Sequence, residues 1–140
     1  MLLIIVKTQC SVGTLNLIQA LSTNVWIALI NTIGWSDCGT DHMENSIRFG
    51  WRWIDDSLEI HWFKHEHGKF SFDLIKRVDL CKEHYYELTI FRWDYKMGVD
   101  GTYVYVPRNC VYDKRRYQLY PYFGGEESAP HDINIKIKKR

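Results

Sequence analysis

A chain of 140 residues, 46% hydrophobic and 25% charged, has the size and make-up of one globular domain; it can bury roughly two thirds of its unfolded surface and needs no staples to fold. Its 18 basic and 17 acidic side chains leave a net charge of +1, which excludes a general nucleic-acid binder, because such proteins gather a clear basic excess on one face. Six Trp, nine Tyr and six Phe stand out, since aromatic rings favour strands and also make ligand platforms.

The first segment, Met1-Leu2-Leu3-Ile4-Ile5-Val6-Lys7, is too short for a membrane span, which takes about 20 apolar residues. It lacks the positive n-region of a signal peptide, and no A-x-A-like site follows promptly. We read it as a first strand over 2–7 in a soluble chain of unassigned compartment. Residues 1–35 form an atypical segment, apolar and weakly charged, with a second strand predicted over 25–33. The turn formers Ser36-Asp37-Cys38-Gly39-Thr40-Asp41 close it. Residues 45–138 carry the core of what reads as a single domain over 1–140.

Ile47, Phe49, Trp51 and Trp53 alternate with Ser46, Arg48, Gly50 and Arg52, the period-two pattern of a strand with two different faces. Asp55-Asp56-Ser57 breaks it. Leu58, Ile60 and Trp62 then alternate with Glu59, His61 and Phe63. Glu66-His67-Gly68-Lys69 has the composition of a hairpin turn, with Gly supplying the positive φ; Phe70, Phe72 and Leu74 open the returning strand. Another strand is predicted over 85–93, with Tyr86, Leu88 and Ile90 on one face. Residues 96–101, with two glycines and an aspartate, are predicted as a loop. Short strands follow over 103–106, stopped by Pro107, then over 117–123 and 133–137. Lys136, Lys138, Lys139 and Arg140 read as a solvated basic end. Eight or nine close-spaced strands without a helix predict an all-β, two-sheet antiparallel sandwich. Its buried residues should include Trp51, Trp53, Ile60, Trp62, Leu88, Ile90, Leu119, Phe123, Ile133 and Ile135.

Cys10, Cys38, Cys81 and Cys110 contain no C-x-x-C pair, which argues against a zinc ribbon; an even count permits two disulfides in three pairings, but free thiols are expected from the spacing. The polar faces are more informative. One strand presents Arg48 and Arg52, the next Glu59, His61 and His65, and the strand over 117–123 Gln118, Tyr120 and Tyr122. If these faces meet in one sheet, Arg48, Arg52, Glu59, His61, Tyr120 and Tyr122 line a cleft suited to acidic or neutral sugars: arginine pairs with carboxylates bidentately and aromatic rings stack on pyranose faces. A β-glucanase would need two carboxylates about 5 Å apart, whereas Glu83 and Glu87 would lie about 13 Å apart on a strand. His61, His65 and His67 give H-x3-H-x-H, read as a polar exposed hairpin tip and not as a metal site. His131-Asp132 reads as a cap on the last strand. Calcium is compatible with Asp37 and Asp41, but no Asp-x-Asp loop signals it, so no metal or cofactor is expected.

Two segments, Asn45-Ser46-Ile47-Arg48-Phe49-Gly50-Trp51-Arg52-Trp53 and Tyr117-Gln118-Leu119-Tyr120-Pro121-Tyr122-Phe123-Gly124-Gly125 with Ala129-Pro130-His131-Asp132-Ile133, resemble a group of uncharacterised bacterial proteins. That group has the concanavalin A-like jelly-roll fold of legume lectins, laminin G domains and many glycan-cleaving enzymes. The resemblance covers roughly residues 31–138 and implies fold more than activity, because this fold serves many functions. An Arg strand, then Glu59-Ile60-His61, then Tyr122-Phe123 is also similar to the layout of jelly-roll alginate lyases. That likeness implies that Arg48 or Arg52 neutralises a uronate carboxylate, His61 acts as base and Tyr122 as acid. Glu59 stands where those enzymes carry Gln, and Gly124-Gly125 where they carry Lys-Ala-Gly.

The leading expectation is a non-catalytic glycan- or surface-binding module. The alternatives are a structural or decoration protein that self-associates through residues 1–33, and a polysaccharide lyase acting on uronate polymers.

Overall fold

The period-two runs become strands because each supplies one apolar face to a shared interior. The computed structural model describes residues 1–8, 30–54, 57–79, 82–110, 115–120 and 135–139. These hold ten strands: β1 (Leu2–Thr8), β2 (Ile30–Ser36), β3 (Ser46–Ile54), β4 (Ser57–Glu66), β5 (Lys69–Val78), β6 (Glu83–Ile90), β7 (Asp94–Val99), β8 (Thr102–Pro107), β9 (Gln118–Leu119) and β10 (Ile135–Lys139). They form two five-stranded sheets, ordered β10-β1-β6-β7-β8 and β5-β4-β3-β2-β9, and every pairing is antiparallel. The predicted all-β, two-sheet sandwich is what the chain adopts. Among the described residues no helix is long and apolar enough to cross a membrane. β1 is an interior strand between β10 and β6, so residues 2–8 of the proposed self-association arm belong to the sandwich; residues 9–29 lie outside the described residues.

The core lies between the sheets. Ile47, Phe49 and Trp51 of β3 and Leu58 and Ile60 of β4 meet Tyr86 and Leu88 of β6, Tyr95, Met97 and Val99 of β7 and Val106 of β8. The Phe49 and Tyr86 rings are 5.1 Å apart, and Trp51 Nε1 donates to the Tyr86 hydroxyl at 3.1 Å, which satisfies two polar atoms in an otherwise apolar layer. Trp51, Ile60, Leu88 and Leu119 are buried as expected, while Trp62 and Ile90 are half-buried. Trp53 and Ile135 belong to β3 and β10; Phe123 and Ile133 lie outside the described residues.

Several boundaries differ from the sequence expectation. Residues 96–101 are not a loop: β7 runs through Val99, and only Asp100 and Gly101 turn, with φ of 47° and 80°. Gly98 is there for packing, since a Cβ on it would come within 2.4 Å of the Tyr103 ring. The strand predicted to reach Trp93 ends at Ile90, and Phe91 N closes a turn on Asp94 O at 2.8 Å. The strand predicted over 117–123 is only Gln118–Leu119 among the described residues. The expectation of free thiols fails at Cys38 and Cys110, which form a disulfide with Cα atoms 5.1 Å apart, a separation that suits such a bond; Cys10 and Cys81 lie outside the described residues.

That disulfide joins two segments already fastened by a buried ion pair. Asp37 follows β2 and Arg108 follows β8, so the pair bridges the two sheets. Arg108 Nε donates to Asp37 Oδ2 at 2.6 Å and Nη2 to Oδ1 at 3.0 Å. The Tyr95 hydroxyl, from β7, also donates to Asp37 Oδ2, and Arg108 Nη1 donates to the carbonyls of Phe91 and Arg92 at 3.3 and 3.2 Å. Both charges are buried and fully bonded, the condition under which a buried pair is tolerated. Removing one partner strands the other: Asp37→Ala should cost about 3–5 kcal/mol of stability, read as a lowered denaturant midpoint at unchanged slope. Asp37→Leu with Arg108→Met should recover most of it. A single variant within about 1 kcal/mol of wild type would show that the clamp is dispensable.

Candidate functional site

With Ile47, Phe49 and Trp51 committed to the core, the intervening residues of β3 point away from it, and the register carries this parity across β4 and β5. The rungs on this outer face are Ser46–His65–Phe70, Arg48–Phe63–Phe72, Gly50–His61–Leu74 and Arg52–Glu59–Arg77. Two irregularities flank the middle of this grid. β2 slips against β3 between Asn31 and Gly34, and β4 slips against β5 between Ile60 and His61. Bulges bend and twist a sheet locally and re-aim side chains. Gly34 is required at the first, because a Cβ there would lie 2.0 Å from Ile47 O.

The outer face of a two-sheet sandwich would ordinarily face solvent, yet Ser46, Arg48, Glu59, His61 and His65 are all buried. Glu59 and His61, two apart on β4, bond directly: His61 Nε2 lies 2.8 Å from Glu59 Oε2. The other carboxylate oxygen accepts from Arg77 Nε and Nη2 at 3.1 and 2.9 Å. Burial pushes the Glu59 carboxyl up, but hydrogen bonds and positive charge from His61 and Arg77 outweigh it and hold the group below the usual carboxylate range. His61 Nδ1 is buried and has no hydrogen-bond partner among the described residues. Nearby, Arg48 Nη2 donates to Ser46 Oγ at 3.1 Å, and that hydroxyl lies 3.5 Å from His65 Nδ1.

Beside these polar groups runs a row of three phenylalanines. Phe63 stacks on Phe70 and Phe72 with centroids 5.7 and 6.3 Å apart and planes within 9° and 13° of parallel. His65 meets Phe63 edge-on at 5.1 Å, His61 meets Phe72 at 5.8 Å, and the Arg48 guanidinium lies 5.8 Å from the Phe63 centroid. Phe70 is 64% exposed, so the face grades from an open aromatic rim to a buried polar floor. Rings and cations on one face can take a flat apolar surface and an anionic group of the same ligand.

Of the residues singled out in the sequence, Arg48, Arg52, Glu59 and His61 share this face. Tyr120 does not join them: Leu119, not Gln118, pairs with Gly34 in the row of Arg48, and Tyr120 follows the strand and is exposed. Tyr122, His131 and Asp132 lie outside the described residues. His65 is buried on the sheet face, not at an exposed tip; only His67 occupies the turn, with φ of 50°. Asp37 is spent on Arg108 and Tyr95, while Asp41 Oδ1 accepts from Met43 N at 2.8 Å. Among the described residues no group of three or more His, Cys, Asp or Glu side chains is placed to hold a metal. The sequence reading missed the phenylalanine row and Ser46. The signal was present in the two-residue turn His67-Gly68, which fixes Phe70 opposite His65 and Phe72 opposite Phe63.

No family model, curated protein or solved structure matches this chain, so its chemistry rests on its own residues.

Burial, then the positive charges of Arg48 and His42, hold His65 below the ordinary histidine value of 6.5. A histidine with a depressed folded pKa is protonated more readily when unfolded, so the unfolded chain binds more protons in that window. Stability from His65 is therefore complete above pH 6.5 and falls as pH drops below it. Chemical denaturation between pH 7.5 and 5 should show wild type weakening faster than His65→Gln; parallel pH profiles would remove this role.

Proposed function

We propose that the outer face of β3, β4 and β5 binds glycans bearing an acidic sugar, in a sandwich of the concanavalin A-like jelly-roll type. The observation that carries this reading is the phenylalanine row leading from exposed Phe70 into a floor that holds Arg48, His61 and His65. Pyranose rings present flat C–H surfaces that stack on aromatic faces, and a uronate carboxylate is matched by guanidinium. Calorimetry with uronate oligosaccharides should give binding that the neutral parent sugars lack. Phe70→Ala should weaken it roughly 2–10-fold, the range for one aromatic contact. Arg48→Lys should weaken it too, because lysine lacks the planar fork. No heat with any uronate at millimolar concentration would overturn the proposal.

A second reading, a lyase acting on uronate polymers, is supported by one feature. Glu59 holds the His61 ring while its second nitrogen is without a partner among the described residues, the arrangement of an oriented general base. Arg48, one rung away, is then the carboxylate partner. β-Elimination would leave an unsaturated product absorbing in the ultraviolet, and His61→Ala should reduce its formation by roughly 10²–10⁴-fold. Alginate, pectate and glucuronan incubated across several pH values without new absorbance would end this reading.

A further inference from the structure

An ionised carboxylate only accepts hydrogen bonds. Glu59 Oε1 is taken up by Arg77, and Oε2 faces His61 Nε2 at 2.8 Å. The proton of the His61 ring therefore belongs on Nε2, and Nδ1 of the neutral ring presents a lone pair. That lone pair is buried and unmatched among the described residues. Buried polar atoms without partners are uncommon in folded proteins and costly to keep. Gly50 stands opposite His61 in β3 and carries no side chain that could bond to it, and Phe72 meets the ring edge-on.

Resting on the glycan reading above, we propose that Glu59 is a positioning residue that fixes His61 as an obligate acceptor, so that the site selects a sugar hydroxyl able to donate to His61 Nδ1. An ether oxygen or a carboxylate carries no proton and is rejected at that spot, which directs the ligand's carboxylate toward Arg48. Glu59 sets this polarity through Arg77. In Glu59→Gln the Arg77 donors claim the amide oxygen, the amide NH2 turns to His61 Nε2, and the ring proton moves to Nδ1. The acceptor becomes a donor, which takes a hydroxyl or an ether alike.

Two measurements on the full chain decide the matter. Two-bond proton–nitrogen NMR at pH 8, above the ordinary histidine value of about 6.5, reads which ring nitrogen carries the proton. Wild-type His61 should be the Nε2–H tautomer, and Glu59→Gln should shift it to Nδ1–H, a change that a merely structural role would not produce. Methyl glucuronide and its mono-O-methyl derivatives are then titrated. Wild type should bind methyl glucuronide with a shift of the His61 Nδ1 resonance, and should lose about tenfold for one O-methyl derivative, the size of one hydrogen bond to a buried acceptor. Glu59→Gln should narrow that ratio, and His61→Asn, whose side-chain oxygen keeps an acceptor near the Nδ1 position, should preserve it better than His61→Gln. An Nδ1–H or doubly protonated wild-type ring would overturn the inference. So would sugar binding that leaves the Nδ1 resonance unmoved, and this outcome would spare the glycan reading. With the Nε2–H tautomer in place but no glucuronide bound, the glycan reading itself fails and takes the hydroxyl assignment with it.

Discussion

The pairing of Asp37 with Arg108 is the constraint on which the rest of the arrangement depends. Both charges are buried, so each is tolerable only while the other is present. Asp37 ends the strand beside β3, Arg108 leaves the edge strand of the opposite sheet, and Tyr95 adds a donor from within that sheet. Their consequences reach the candidate site through the backbone. Asp37 N bonds to Asn45 O at 2.9 Å, Asn45 Oδ1 accepts from His67 N at 3.2 Å, and Glu44 O accepts from Gly68 N at 3.1 Å. The loop held by the clamp thus grips the β4–β5 turn and delivers the chain into Ser46, the first residue of the site. The Cys38–Cys110 disulfide encloses a loop with a sequence separation of 72. It restrains the unfolded chain at the same place where the ion pair restrains the folded one.

β3 and β4 serve two masters, and their alternation divides the work. Ile47, Phe49, Trp51 and Ile60 close the interior, while Ser46, Arg48, Glu59 and His61 build the opposite face of the same strands. A one-residue slip would exchange the two sets, so a pattern this polar on one side and this apolar on the other also fixes the register. The hairpin turn at His67-Gly68, with both residues at positive φ, sets the register of the third strand as far as the slip between Ile60 and His61 and lines up the phenylalanines.

How much of this was legible follows the same division. Alternation is a local signal, so β3, β4 and their polar faces could be read residue by residue, as could the shared face of Arg48, Arg52, Glu59 and His61. What needed a partner strand could not. Gly98 reads as a loop former until Tyr103 is known to lie across it. Cys38 and Cys110 read as free until Asp37 and Arg108 bring their backbones together. Phe63, Phe70 and Phe72 read as generic strand aromatics until the turn is used to register them. Tyr120 falls outside that face for a related reason: face assignment by counting assumed a strand over 117–123, whereas β9 has two residues, and it is Leu119 that falls in the row of Arg48.

The outer face also argues against a purely architectural role for these residues. A sheet that needed only stability would fill buried positions with Val, Ile and Phe, which bring no desolvation cost. Here a carboxylate, a guanidinium and two imidazoles are buried together instead. Glu59 is made tolerable by Arg77, whose side chain remains 60% exposed and so carries charge from solvent to the buried carboxylate. Ser46 joins Arg48 and His65. The bonds that run from Arg77 through Glu59 to His61 stop, among the described residues, at Nδ1. A stability device would have closed that last bond, since leaving a buried acceptor open costs about 1–3 kcal/mol. A buried acceptor left open beside an aromatic row that begins in solvent is the form expected of a surface whose missing partner arrives from outside.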